Sequence, residues 1–169
     1  PKFLLELRVD QECVLATDEN WQCLREDGPI RFNELRNGEF YDARRELPGW
    51  NDTGFQEQSW QPAEIVSGPG GILLKQQAPP CRVCEEFPAE LYCDTKDGGM
   101  TYAIRQNIAG WAKIRVKGEP GATVKLIYAE MVDDRNRRID RSNDITRCVK
   151  SGEFQTDCYT LRGADEEEW

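Results

Sequence analysis

The stretch "GEFYDARRELPGW", residues 38 to 50, gathers Asp42, Arg44 and Trp50 within a short span. A carboxylate placed there can bind a sugar hydroxyl or a hard cation, and an aromatic ring beside it can stack on a pyranose face. Read at a period of two, Glu39, Tyr41 and Ala43 lie on one face of an extended segment and Phe40, Asp42 and Arg44 on the other, so each face mixes apolar and charged groups. Pro48 and Gly49 then end the strand in a turn that leaves Trp50 beside the polar loop "NDTGF". The plainer reading is an edge or half-buried strand whose Asp–Arg pair faces water and adds little to stability. Both readings stand at this level.

The chain has no histidine. That removes the commonest general base at neutral pH, every Ser–His and Cys–His nucleophile and the commonest transition-metal ligand. Carboxylates, Lys, Tyr and Cys remain, but Asp133 with Asp134 and the Glu166 to Glu168 run are adjacent acids of the kind that form solvated turns and tails. A net charge of −9 argues against an electrostatic grip on nucleic acid or an anionic membrane. A neutral partner or a bound cation fits better.

Cys13, Cys23, Cys81, Cys84, Cys93, Cys148 and Cys158 are odd in number, so they cannot all pair within the chain. Cys81 and Cys84 form a CxxC without the second pair that a structural zinc site needs. The expectation is reduced, mostly buried thiols.

Strand signals follow one another with turn residues between: "FLLELRV", "CVLAT", "WQCL", "EFYDAR", "AEIV", "GILLKQ", "CRVCEEF", "ELYC", "MTYAIR", "WAKIRV", "TVKLIYAEM" and "FQTDCYTL". Short, regular spacing predicts an all-β fold of antiparallel, jelly-roll-like sandwich modules. "GWAKIRVKGEPGATVKLIYAE" is expected to form an antiparallel hairpin with one face in a core, and residues 133–147 a long loop. Pro79, Pro80 and Pro88 discourage ladder bonds and place a boundary there, dividing the chain into modules 1–87 and 88–169. No apolar run approaches the roughly 20 residues that cross a bilayer, and no signal peptide is visible. The chain reads as soluble, with secreted and cytoplasmic locations both open. It starts and stops beside strand-like runs, so both ends are expected to be cut.

Taken in order, "VLATDENWQC", "GPIRFNELRNGEFYDARRELPGW", "GFQEQSWQPA", "PPCRVCEEF", "RQNIAGWAKIRVKGEPGATVKLIYAE" and "TDCYTLRG" resemble the N-terminal β-sandwich region of bacterial α-L-rhamnosidases. The resemblance runs over nearly the whole chain. It implies an accessory, non-catalytic part of an inverting glycoside hydrolase acting on rhamnose-containing carbohydrate, whose acids lie in a separate (α/α) barrel that would be this chain's partner. No cofactor is required, but some members of the family bind rhamnose with calcium in the corresponding module. On that analogy Asp42 is the calcium and sugar-hydroxyl ligand with Arg44 beside it, and Trp50 or Trp60 is the stacking aromatic. The family's usual "DFGQN" appears here as "AIRQN", and cysteines stand in "PPCRVC" where aliphatics are usual. A contrasting expectation is an independent β-sandwich interaction module that meets a protein through its acidic face. A homodimer formed through exposed edge strands is also open to such a chain.

Overall fold

The computed structural model describes residues 2–56, 60–68, 70–142 and 153–169. It is all-β and sandwich-like, with one three-residue 3₁₀ turn at Ala43–Arg45 as the sole helical piece among the described residues. In chain order the strands are β1 (Glu6–Val9), β2 (Glu12–Ala16), β3 (Gln22–Cys23), β4 (Ile30–Glu34), β5 (Gly38–Asp42), β6 (Gln61–Pro62), β7 (Glu90–Asp94) and β8 (Met100–Ala103). They continue as β9 (Arg115–Val116), β10 (Thr123–Ile127), β11 (Met131–Asp133), β12 (Arg138–Asp140), β13 (Thr156–Thr160) and β14 (Glu167–Glu168). The chain packs as two compact units that interleave along the sequence: Pro1–Gly28 with Leu47–Pro79, and Pro29–Glu46 with Pro80–Trp169.

In the first unit β1 and β2 form an antiparallel hairpin. Asp10 and Gln11 turn it with positive φ at both positions, the backbone of a type I′ turn, whose twist matches that of the flanking strands. β3 pairs with β6 through Gln22↔Pro62 and Cys23↔Gln61. "AEIV" and "GILLKQ" join no ladder, and Ile72, Leu73 and Leu74 are exposed.

The second unit is built on a four-stranded sheet of order β10-β13-β5-β4. β13 lies between an antiparallel neighbour, β10, and a parallel one, β5. Along β10, Val124 and Leu126 are half-buried and alternate with exposed Thr123, Lys125 and Ile127, as the period-two pattern predicts. Ala43, Tyr159 and Leu161 are buried together, with Tyr41, Val116, Val124 and Trp169 packed against them. Tyr41, Tyr159 and Trp169 are mutual ring neighbours, with centroids 5.1 to 6.3 Å apart.

Three expectations are corrected. β9 and β10 do not pair with each other: β9 ladders with β14 and β10 with β13, because the six residues 117–122 ("KGEPGA") make a connection rather than a tight turn. Within residues 133–147, β11 and β12 form a hairpin, where Asp133 accepts the N–H groups of Arg135 and Asn136; residues 143–147 lie outside the described residues. "CRVCEEF" is not a strand, since it runs between Pro80 and Pro88 without a ladder partner.

Candidate functional site

A short series of turns builds a cleft in the first unit. The Asp18 carboxylate accepts the N–H of Asn20 at 2.9 Å, an Asx turn that delivers Trp21 to the start of β3. The Trp21 indole donates back to the carbonyl of Ala16 at 3.0 Å, and its ring meets Phe3 at 6.0 Å. Across the β3–β6 ladder, Trp60 leads into β6, and Ala63 N–H donates to Trp21 C=O at 2.7 Å. Consecutive turns then fold 47–55: Trp50 N–H donates to Leu47 C=O, Asp52 N–H to Gly49 C=O and Phe55 N–H to Asp52 C=O. Phe55 packs on Trp60 with ring centroids 6.0 Å apart.

The cleft that results has a volume of about 370 Å³ and is lined by Asn20, Trp21, Gln22, Trp50, Asp52, Gly54, Phe55 and Trp60. That volume falls inside the range of roughly 300–1,000 Å³ usual for small-ligand sites. Three indoles and a phenyl supply apolar faces, while Asn20, Gln22 and Asp52 supply hydrogen-bonding groups. Asp52 is the one ionisable residue among these, so the cleft suits a neutral ligand with an apolar face and hydroxyls. Trp60 Nε1 is buried and has no hydrogen-bond partner among the described residues. An unspent buried donor is uncommon.

The structure thus brings Trp50 and Trp60 together in one cleft. Asp42 and Arg44 are placed differently, in the second unit. β5 ends at Asp42, and Asp42 caps the 3₁₀ turn Ala43–Arg45, accepting the N–H of Arg44 at 3.2 Å. Arg44 Nε donates to Asp42 Oδ1 and Arg44 Nη2 to Oδ2, both at 2.8 Å, and Arg45 Nε stands 3.5 Å from Oδ2. These Arg44 hydrogen bonds hold the Asp42 carboxyl below its ordinary pKa, against the opposing effect of burial. Both Asp42 oxygens are engaged by guanidinium groups. A calcium ion at this carboxylate would have to displace two cations, and no cluster of three acidic, Cys or His ligands accompanies it among the described residues. In this arrangement the residues do not fit that metal.

Sequence reasoning missed Asn20, Trp21, Gln22, Asp52 and Phe55. The available signal was the repeated pairing of an aromatic with a polar turn, at "DENW" and at "GWNDTGF". The thiols also differ from expectation: Cys93 is buried, Cys23 and Cys158 are half-buried, and Cys13, Cys81 and Cys84 are exposed. All six are free, and Cys148 lies outside the described residues. Exposure follows from position, since Cys81 and Cys84 sit on a segment with no sheet to cover it.

Residues 1–85 match the α-L-rhamnosidase N-terminal domain family, and residues 94–169 match the bacterial α-L-rhamnosidase concanavalin-like domain. An α-L-rhamnosidase of Streptomyces avermitilis is 32% identical over 99% of the chain, and one of Formosa agariphila 29% identical over 99%. The chain spans only 16% and 17% of the length of these curated relatives. Among solved structures, an α-L-rhamnosidase from Dictyoglumus thermophilum matches with a TM-score of 0.80 at 31% identity, over 98% of this chain and 18% of its own. The S. avermitilis α-L-rhamnosidase complexed with L-rhamnose matches with a TM-score of 0.77 at 30% identity, over 92% of this chain and 14% of its own.

Proposed function

The chain belongs to the bacterial α-L-rhamnosidase family, through its N-terminal domain, and we propose that it is a non-catalytic module of such an enzyme whose aromatic cleft holds a rhamnose-containing carbohydrate. The observation that carries this reading is the lining of the cleft: Trp21, Trp50 and Trp60 around a single carboxylate, Asp52, with no basic residue among them. A 6-deoxyhexose is neutral, has an apolar face including its methyl group, and presents hydroxyls that can donate to Asp52. Stacking of such a face on an indole is the usual basis of sugar affinity. The complex of a structural relative with L-rhamnose supports rhamnose as the first sugar to test.

The same lining supports a non-catalytic role. Inverting hydrolysis needs two carboxyl groups roughly 6.5–9.5 Å apart across the scissile bond, and among the described residues the cleft offers one. The acids that cleave the bond would then reside in the helical barrel of the parent enzyme, the partner proposed for this module. Binding in this cleft is proposed to need no calcium, since its described lining carries one carboxylate.

Tryptophan fluorescence and calorimetric titration with L-rhamnose, with millimolar calcium and then with chelator, test the reading. Saturable binding is expected in both conditions, with loss in Trp60→Ala and weakening in Asp52→Ala. Absence of binding up to high millimolar sugar in the folded protein would remove the carbohydrate role, and a strict need for calcium would move the site away from this cleft.

A further inference from the structure

The second unit draws its sheet from both ends of the sequence, and we infer that residues 29–46 are a donor segment seated in an acceptor surface along β13, so that this part of the N-terminal family match folds cooperatively with the concanavalin-like match. This goes beyond the carbohydrate reading and does not depend on it. The N-terminal domain match ends at residue 85, yet β5 within it pairs in parallel with β13 of the concanavalin-like match, through Phe40↔Cys158, Tyr41↔Tyr159 and Asp42↔Thr160.

The seat is specific. Gln155 N–H donates to Arg36 C=O at 2.9 Å and Thr156 N–H to Asn37 C=O at 2.6 Å, while Asp157 accepts the N–H of Glu39 at 2.8 Å. At the other end Arg162 donates to Glu46 at 2.6 Å. Gly38 has φ of +117°, and a Cβ at this position would run into the Thr156 carbonyl, so the donor must carry glycine there. Ala43 is one of the three buried residues of the hydrophobic cluster seen among the described residues, beside Tyr159 and Leu161. Without the segment, β13 would be an open edge and Tyr159 would lose its packing on Tyr41 and Ala43, and an open edge recruits another strand.

Native-state hydrogen exchange on the intact chain tests this. Amides of 40–42 and of 158–160 are expected to exchange through one shared opening, with the same dependence on denaturant. Gly38→Ala should speed both sets by a common factor, about tenfold or more. Exchange of 40–42 through a separate, easier opening while 158–160 stay protected would overturn the inference. A second measurement does not rely on that variant: protease sites are placed at the 28/29 and 46/47 junctions of the full chain and both are cut. Co-elution of peptide 29–46 with the rest of the protein, until urea releases it, is the expected result. Immediate elution of free peptide under native conditions would also overturn the inference.

Discussion

The Asp157 carboxylate accepts the backbone N–H of Glu39 at 2.8 Å, joining residues 118 apart in sequence, and takes the Tyr128 hydroxyl on its other oxygen at 2.7 Å. One side chain therefore ties β5 and the end of β10 to β13. Asp157→Ala leaves a part-buried N–H and a phenol without partners, and each bond to a charged acceptor contributes about 1.5–3 kcal/mol. A loss of about 3 kcal/mol is expected in urea unfolding, with Asp157→Asn losing less because its amide oxygen still accepts. A change under about 0.5 kcal/mol, the scale of an ordinary surface substitution, would refute the tie.

Glu167 makes acid sensitivity local. It is 1% exposed and accepts from Tyr159 OH, Arg162 N–H, Gly163 N–H and Ala164 N–H at 2.8 to 3.0 Å. Burial alone would raise its pKa, but these hydrogen bonds prevail and hold it below the ordinary glutamate value. A carboxyl depressed by folding stabilises above its unfolded pKa, and that contribution disappears as pH falls through the folded one. Stability measured from pH 7 downward should fall below about pH 4.5, and Glu167→Gln should flatten part of that fall while lowering stability at pH 7. An unchanged acid limb in Glu167→Gln would assign the sensitivity elsewhere.

The tyrosines predict the opposite limb. Burial, then the hydrogen bond to Glu46, pushes the Tyr41 phenol up to about 12. Burial and the bonds to Asp157 and Glu167 raise Tyr128 and Tyr159 as well. A raised pKa means that the fold favours the neutral phenol, so the contribution is complete below the unfolded value, about 10, and is lost as pH rises beyond it. Ultraviolet titration should show Tyr41, Tyr128 and Tyr159 ionising late, together with alkaline unfolding. Normal titration of all five tyrosines of the folded chain would contradict the burial on which this rests.

Fold class was legible in the sequence because alternation and turn residues are local. β10 follows its pattern residue by residue, and the strand signals "FLLELRV" and "CVLAT" both form strands, which close into a hairpin. Pairing was less legible, since ladder partners are set by contacts far apart in sequence: nothing near Tyr41 announces Tyr159 as its neighbour. "EFYDAR" read as one strand, yet β5 stops at Asp42, because an Asx-type cap on Arg44 N–H competes with continued extension. That local bond turns Arg44 back onto Asp42. Trp50 and Trp60 were legible as aromatics beside polar loops, but their shared cleft depends on the β3–β6 ladder, which the sequence does not advertise.

Thiol exposure gives a direct test of the irregular segment. Cys13, Cys81 and Cys84 are exposed, whereas Cys93 is 5% exposed with its thiol directed to the Arg137 carbonyl at 3.5 Å. Brief alkylation of the native protein followed by peptide mass mapping should label the first three quickly and Cys93 only after denaturation. Fast labelling of Cys93 would mean that the β7–β8 ladder opens readily.

Asp42 separates scaffold from site. Its carboxylate caps Arg44 N–H and engages the guanidinium groups of Arg44 and Arg45, and removal of such a cap costs about 1–2 kcal/mol. Asp42→Ala should lower the urea midpoint accordingly, and Arg44→Ala should reproduce part of that loss, because the same pair is broken from its other side. Neither residue lines the cleft of Trp50 and Trp60, so rhamnose affinity measured below the unfolding transition should be unchanged in both variants. If Asp42→Ala instead abolished rhamnose binding at unchanged stability, the carboxylate would have to leave its arginines to serve a ligand, and calcium would regain its place as the cation that draws it away.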